Sequence, residues 1–123
     1  MKAPIALFVF NRPEHTRQSL AALEKNIGAG DSELFVFCDG ARSPDEETKI
    51  QEVRSVVKAA RGFKKLTVIE RPENWGLARN IISGVSELME QRGRVIILED
   101  DLVTSKYFLK FMNEGLDYYQ DKE

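Results

Sequence analysis

The chain alternates between short apolar runs and longer segments whose apolar residues recur at helical spacing. Four runs have the length and the polar or turn boundaries of β-strands, at residues 5–10, 34–38, 66–69 and 95–98. The last run is a continuous Val/Ile/Leu sequence, which is typical of a strand that is buried on both faces of a parallel sheet.

Each run is followed by a segment with one apolar face, which predicts four helices. The residues of these faces are Leu20, Leu23 and Ile27; Ile50, Val53, Val57 and Ala60; Leu77, Ile81, Val85 and Leu88; and Phe108, Phe111, Met112 and Tyr119. Pro13 and Pro44 stand where a first-turn proline is tolerated, and Ser43 with Glu46 has the spacing of a capping box. Four βα units in succession predict a three-layer α/β/α domain around a mostly parallel, doubly wound sheet.

The predicted strand ends bring polar residues together at one edge of this sheet. The segments that follow the four strands are residues 11–12, 39–42, 70–80 and 99–101. Open α/β sheets bind ligands outside the carboxyl ends of their strands. The opposite edge carries mostly turn residues such as Gly28, Gly30 and Asp31, so the asymmetry predicts a nucleotide-type site at the carboxyl edge.

Three consecutive carboxylates, Glu99, Asp100 and Asp101, follow the fourth strand. Crowded carboxylates repel one another unless a cation joins them, and their hard oxygen ligands suit Mg²⁺ or Mn²⁺. The alternative interpretation is a solvated acidic turn, because acidic residues are also favoured near the N-terminus of a helix.

Other polar residues at this edge each allow two interpretations. The Asp39 carboxylate suits an N–H group of a nucleobase or a ribose hydroxyl, or it serves a tight turn. Arg12 and Arg42 either reach a phosphate or a base, or they are surface residues. Arg79 in the first turn of the third helix either offsets pyrophosphate charge or pairs with a carboxylate. Trp75 is expected to pack rather than to stack on a ligand.

Length, charge and cysteine content narrow the functional classes. The 123 residues suffice for one domain with one core, and a net charge of −2 gives no basic surface for nucleic acid or membranes. The single cysteine, Cys38, excludes an internal disulfide and fits a reducing compartment. No apolar run is long enough to span a bilayer. A cytoplasmic location is expected, and peripheral membrane association of a longer protein stays open.

Two common site types are not expected from the motifs. The sequence has no GxxxxGK[ST] phosphate loop, and Gly28-Ala-Gly30 follows a helix rather than a strand, unlike a dinucleotide-binding loop. His15 is the only histidine and has no serine or cysteine partner nearby, so a catalytic triad is not expected.

The order of the strand-end motifs resembles the nucleotide-sugar half of the GT-A glycosyltransferases. These motifs are Asn-Arg-Pro after the first strand, Asp-Gly after the second, Asn74-Trp-Gly-Leu-Ala-Arg-Asn80, and Ile-Leu-Glu-Asp-Asp-Leu at the fourth. The first and last are most similar to the N-acetylglucosaminyltransferase I family, whose DxD motif has a Glu-Asp-Asp version. The segment from Asn74 to Asn80 looks more like the family 2 glycosyltransferases.

The resemblance implies a donor site for a nucleoside-diphosphate sugar, with a UDP-sugar favoured. In that site Asn11 and Arg12 line the nucleoside pocket, Asp39 contacts the base, and Arg79 lies near the diphosphate or the base.

The acidic triplet takes the DxD position of the family. By this resemblance Glu99 lies near the ribose, Asp100 supports the water shell of the metal, and Asp101 binds the Mn²⁺ or Mg²⁺ that bridges the diphosphate. The metal offsets the charge on the leaving nucleoside diphosphate.

The resemblance covers essentially the whole chain, but the family's catalytic domain continues past the acidic motif to an acceptor pocket and, in inverting members, a general base. Residues 1–123 are therefore expected to form a single nucleotide-sugar-binding domain, the N-terminal part of a longer enzyme that transfers a hexosyl or N-acetylhexosaminyl group to a hydroxyl of a glycan or other acceptor. The general base is expected outside the chain. Self-association stays open, because a truncated sheet exposes an edge or an apolar face.

Two alternative functions remain at this point. A nucleotidyltransferase that makes the sugar nucleotide would share the fold, but such enzymes usually carry a Gly-rich, basic loop after the first strand, where this chain has Asn11-Arg12-Pro13. A non-catalytic binding module with the same fold is the second alternative.

Overall fold

The structure is a computed structural model that describes residues 2–120. It contains four strands, β1 (Ile5–Val9), β2 (Glu33–Cys38), β3 (Lys65–Glu70) and β4 (Ile96–Glu99). Four helices accompany them, α1 (Pro13–Glu24), α2 (Glu47–Lys58), α3 (Leu77–Arg92) and α4 (Phe108–Gln120). Short 3₁₀ turns lie at Ala29–Asp31 and Pro44–Glu46. Each strand lies within one residue of its predicted limits, because a short apolar run between turn residues specifies a strand locally.

The four strands form one parallel sheet in the order β3-β2-β1-β4. Leu7 at the centre of β1 lies opposite Val36 of β2 and Leu98 of β4. This register brings the carboxyl ends of all the strands to one edge of the sheet, as the succession of βα units predicts.

Helices cover both faces of the sheet, which confirms the predicted three-layer α/β/α class. On one face, Leu23 of α1, Val53 of α2 and Leu109 of α4 belong to the same buried cluster. On the other face, Leu88 of α3 packs with Phe8 and Phe37. Among residues 2–120, no helix combines the length and the apolar character needed to cross a membrane.

The prediction that the fourth strand is buried on both faces is wrong. β4 lies at the edge of the sheet formed by the described residues, and its pairing partner there is β1. Ile96 and Leu98 face the buried cluster, but Ile97 on the opposite face is 46% exposed. A run of Val, Ile and Leu thus specified a strand without specifying its place in the sheet.

Three residues assigned to buried helix faces are exposed instead. Ile27 lies beyond the end of α1, and Leu77 is the first residue of α3, at the mouth of a cavity. Phe111 is exposed because it lies two residues after the buried Leu109, nearly on the opposite side of α4. The side chain of Tyr119 lies outside the described residues.

Candidate functional site

A cavity of about 300 Å³ opens at the carboxyl edge of the sheet. Its polar lining residues are Asn11, Arg12, Asp39, Arg42, Asn74, Asn80, Glu99, Asp100 and Asp101. The structure therefore brings together six of the seven site residues that the resemblance implies, and Arg42 with them, whereas Arg79 does not line the cavity.

The position of the cavity follows from the strand order. The chain advances from β1 through β2 to β3 on one side and then returns to β4 on the other side of β1. The boundary between β1 and β4 is therefore a topological switch point, the place where open α/β sheets bind ligands. Asn11 and Arg12 follow β1 there, and Asp100 and Asp101 follow β4.

Asp39, at the end of β2, holds the loop that forms one wall of the cavity. Its Oδ1 accepts hydrogen bonds from the backbone N–H groups of Gly40 at 2.9 Å and Trp75 at 2.8 Å. Its Oδ2 accepts hydrogen bonds from the Gly76 backbone N–H at 3.0 Å and from Asn74 Nδ2 at 3.2 Å. A carboxylate has about four acceptor positions, so these four donors occupy all of them.

Gly40 allows this loop to approach the end of β2 closely. A Cβ atom at position 40 would lie 2.5 Å from the backbone carbonyl carbon of Glu73 and 2.6 Å from its oxygen. The Gly40 carbonyl also accepts a hydrogen bond from Asn74 Nδ2 at 2.9 Å. The Asp-Gly pair is thus required by a contact with a distant loop, beyond any preference for turn geometry.

A second network lies where Asn11, after β1, meets the start of α2. Glu46 Oε2 accepts hydrogen bonds from Asn11 Nδ2 at 2.8 Å and Arg42 Nη2 at 2.7 Å. Glu46 Oε1 accepts hydrogen bonds from the Arg42 backbone N–H at 2.8 Å and its Nε at 3.2 Å. The hydrogen bonds from Arg42 lower the pKa of Glu46 to about 2. The capping box predicted for Ser43 does not form, because the Ser43 side chain makes no cap hydrogen bond and Glu46 reaches back to Arg42 instead.

The acidic triplet does not behave as three equivalent carboxylates. Asp101 is exposed and Glu99 is half-buried, whereas Asp100 is 6% exposed. Burial raises the pKa of Asp100, and the nearby Arg12 guanidinium, 3.7 Å away, lowers it in part. Among the residues that the structure describes, no three His, Cys, Asp or Glu side chains are grouped as ligands of one metal ion. Asp101 is therefore the carboxylate of the triplet that is most accessible to a ligand.

Hydrogen bonds hold the segment after β4 against α1 and against the residues that follow α1. Ser19 Oγ donates a hydrogen bond to the Asp100 carbonyl at 2.8 Å, and Asn26 Nδ2 donates one to Thr104 Oγ1 at 3.0 Å. These two contacts determine the direction in which the chain leaves β4, and with it the position of Asp101 at the cavity.

Two guanidinium groups contact the Trp75 ring. The central carbon of Arg71 is 4.0 Å from the centre of the Trp75 ring, and that of Arg79 is 4.2 Å from it. Arg71 is buried, and its Nε donates a hydrogen bond at 3.0 Å to Oδ1 of Asn80, which lines the cavity. Arg71 therefore connects the cavity wall to the loop that contains Trp75. The Trp75 ring therefore contacts protein side chains, Arg79 among them, and its packing rather than stacking on a ligand stays a prediction.

Several residues of the site were not identified from the sequence. Asn74 and Asn80 belong to a segment that the sequence singled out, but no role was assigned to either. The sequence pattern indicates only a capping role for Glu46, and it gives no signal for Arg71. The spacing of Arg42 and Glu46, four residues apart, was an available signal for their ion pair.

Comparisons with known proteins identify the relatives of this arrangement. A family model described as "Glycosyl transferase family 2" matches residues 5–120. None of the curated protein sequences matches the chain significantly.

Two solved structures of TarS from S. aureus share the fold. The crystal structure of TarS has a TM-score of 0.63 and 17% identity over 98% of this chain and 20% of that one. The structure of TarS 1-349 in complex with UDP has a TM-score of 0.60 and 18% identity over 98% of this chain and 33% of that one. The chain therefore spans a third or less of these two structures. Of the two families named from the motifs, family 2 is the one matched, and the likeness to N-acetylglucosaminyltransferase I stays untested.

Proposed function

The chain belongs to glycosyl transferase family 2, and on that premise we propose that its carboxyl-edge cavity binds the nucleoside diphosphate of a sugar donor. The observation that carries the proposal is the meeting of an acidic strand end, residues 99–101, with the polar ends of β1 and β2 in one cavity. A nucleoside diphosphate has the two matching parts, a hydrogen-bonding nucleoside and a charged diphosphate. UDP is favoured as the carrier, because a TarS structure of the same fold is a complex with UDP.

In this proposal the nucleoside and the diphosphate occupy adjoining parts of the cavity, since Arg12 and Asp100 lie 3.7 Å apart. Asn11, Arg12 and Asp39 belong to the nucleoside end, and Glu99 lies toward the ribose. The base contact expected of Asp39 requires a nucleobase to displace one of the four donors that its carboxylate now accepts. Arg79 stacks on Trp75 and reaches the diphosphate only by leaving that ring.

The acidic end fits a divalent cation, Mn²⁺ or Mg²⁺. Mg²⁺ is usually bound through one or two carboxylates together with substrate phosphates and water, so the exposed Asp101 suffices as its protein ligand. Asp100, which is buried beside Arg12, would support the water shell rather than bind directly. The chemistry that such a cation supplies is stabilisation of negative charge on the leaving nucleoside diphosphate.

For the whole protein we propose transfer of a hexosyl or N-acetylhexosaminyl group to an acceptor hydroxyl. Because the chain spans a third or less of the TarS structures, we propose that residues 1–123 are the N-terminal donor-binding part, and that another part of the protein supplies the acceptor pocket and the general base. The cytoplasmic location expected from the sequence stays a prediction.

The test is a calorimetric titration of UDP into the chain with Mn²⁺ and then with EDTA. We expect Mn²⁺-dependent binding, with an affinity that falls by at least about tenfold in EDTA or in the Asp101→Ala variant, which corresponds to about 1.4 kcal/mol. The reason is that both changes leave the diphosphate charge without a cation at the acidic end.

The matched control is Asp31→Ala, which removes an exposed aspartate at the opposite edge of the sheet. This variant is expected to bind UDP as the wild type does. If the chain bound GDP more tightly than UDP, the cavity would still be a donor site, but the nucleotide of the donor would be GDP. Failure of the folded wild-type chain to bind UDP or GDP would argue against the proposal.

A further inference from the structure

The Asn11–Glu46–Arg42 network holds two cavity-lining side chains through one carboxylate that does not itself line the cavity. The Glu46 side chain is 14% exposed, whereas that of Arg42 is 65% exposed. Glu46 thus lies behind Asn11 and Arg42 and contacts both through the same oxygen, Oε2. This arrangement is suited to fixing the direction in which their remaining polar groups point.

We propose that Glu46 is a positioning residue for base recognition, which orients Asn11 as an acceptor and Arg42 as a donor toward a nucleobase that carries an N–H beside a carbonyl, as uracil does. The inference rests on the proposed nucleoside-diphosphate function and specifies how the nucleoside end of the same cavity selects its base.

The orientation of the Asn11 amide follows from the chemistry of its partner. An ionised carboxylate only accepts hydrogen bonds, and Glu46 stays ionised at neutral pH because its pKa is about 2. The group that faces Glu46 must therefore be the Asn11 amino group, Nδ2. The Asn11 carbonyl oxygen, Oδ1, therefore points away from Glu46 and is left as an acceptor on a residue that lines the cavity.

Arg42 supplies the complementary donor. Its Nε and Nη2 donate hydrogen bonds to Glu46, and its guanidinium carbon lies 5.1 Å from the centre of the Phe10 ring. A guanidinium has five N–H donors in a fixed plane, so these contacts direct Nη1 away from Glu46. Asn11 Oδ1 and Arg42 Nη1 together match a base edge that has a donor next to an acceptor.

Asp39 lines the cavity as well, and the base contact proposed for it requires one of its present hydrogen-bond donors to leave. Its two oxygens already accept four hydrogen bonds from Gly40 and the loop at residues 74–76.

A cytosine placed like the uracil would present the lone pair of its N3 atom to Asn11 Oδ1, and two acceptors repel. The network therefore favours UDP over CDP, which are of nearly equal size.

The experiment compares UDP, CDP and pyrophosphate in Mn²⁺-containing titrations of the wild type and three variants. We expect the wild type to bind UDP at least about tenfold more tightly than CDP, the equivalent of about one hydrogen bond. Glu46→Gln places an amino group against Asn11 or Arg42 and allows the Asn11 amide to turn. Asn11→Ala removes the acceptor without touching the Glu46–Arg42 pair. In both variants the ratio of the affinity for UDP to the affinity for CDP is expected to fall close to one, while the affinity for pyrophosphate is unchanged.

Glu47→Gln is the matched control, because Glu47 is the next residue, is exposed and does not line the cavity. It should keep the wild-type ratio. An unchanged UDP preference in Glu46→Gln and Asn11→Ala, each shown to be folded by its thermal unfolding, would overturn the positioning role and leave donor binding intact. A wild type that binds UDP and CDP equally would overturn it as well. A wild type that binds neither nucleotide would overturn both the inference and the proposed function.

Discussion

Asp39 shows how one buried carboxylate organises a wall of the cavity. It is 4% exposed and accepts hydrogen bonds from its own neighbour and from a loop 35 to 37 residues later in the chain. A buried charge is stable only when hydrogen bonds or an ion pair replace its hydration. The loop supplies those hydrogen bonds, so its conformation and the burial of Asp39 depend on each other.

We predict that Asp39→Ala lowers the free energy of unfolding by about 3 kcal/mol or more, because hydrogen bonds to charged groups contribute about 1.5–3 kcal/mol and the partly buried N–H groups of residues 75 and 76 lose their acceptor. Urea denaturation measures this loss. Hydrogen exchange of the amides at residues 74–76 should accelerate in the same variant.

The control for this prediction is Asp45→Ala, at an exposed aspartate in the 3₁₀ turn before α2. Exposed substitutions usually change stability by no more than about 0.5 kcal/mol. Equal stabilities of the two variants would contradict the role described for Asp39.

At the scale of secondary structure, α3 packs on the sheet at a glycine, Gly84. The rings of Phe8 and Phe37 stack side by side on neighbouring strands, with centres 4.9 Å apart. A Cβ atom at Gly84 would lie 3.0 Å from atoms of the Phe37 ring and 3.1 Å from the Phe8 ring. The absence of a side chain at Gly84 therefore sets how closely the helix packs on the two rings.

We predict that Gly84→Ala destabilises the protein by about 1–3 kcal/mol, because an added methyl group in a packed core forces its neighbours to shift. Gly115→Ala is the matched control, since position 115 also lies within a helix but has no neighbouring atom within 4 Å of the added Cβ. There the replacement of glycine should stabilise α4 by up to about 1 kcal/mol.

Thermal unfolding of the two variants measures both effects. If the Gly84→Ala variant were as stable as Gly115→Ala, α3 would be able to move away from the sheet without loss of stability.

At the scale of the whole molecule, three ion pairs, two of them between residues distant in the chain, make stability depend on pH. Hydrogen bonds from Arg92 lower the pKa of Glu33, those from Arg94 lower the pKa of Asp117, and those from Arg42 lower the pKa of Glu46 from 4.5 to about 2. In each case the folded protein holds the carboxylate in its ionised form more strongly than the unfolded chain does. These contributions are present above the pKa of the unfolded chain and are lost as the pH falls through the folded-state values.

We therefore predict that the free energy of unfolding falls as the pH is lowered from about 4.5 to about 2. Glu46→Gln should flatten this dependence, because it removes the group with the largest resolved lowering, whereas Glu47→Gln should leave it nearly unchanged. Urea denaturation at a series of pH values measures the slopes. The same slope in wild type and Glu46→Gln would contradict the strength assigned to the Arg42–Glu46 pair.

The parts of this protein that were predicted correctly depend on local patterns. The four strands and the parallel three-layer fold follow from apolar runs, helical periodicity and turn residues, each of which acts over a few neighbouring positions. The buried faces at Leu23, Val53 and Leu88 were predicted for the same reason. The meeting of Asn11, Asp39 and Asp101 in one cavity was predictable as well, because parallel strands end at the same edge.

The errors arose where a local pattern has several tertiary outcomes. An apolar run is compatible with a central strand or with an edge strand, so the exposure of Ile97 was not predictable from its neighbours. Ser43 and Glu46 have the spacing of a capping box, but Arg42 competes for the same carboxylate with a full positive charge.

The sequence by itself determined the elements, their order and the strand ends that carry polar residues, because these depend on periodicity and on residues close together in the chain. Only the tertiary structure decided which partners those polar residues have. Asn11 and Glu46 are 35 residues apart, and Asp39 and Asn74 are equally distant. A hydrogen bond across such a separation forms because packing of helices and strands brings two groups to about 3 Å from each other, and no pattern of neighbouring residues specifies that distance.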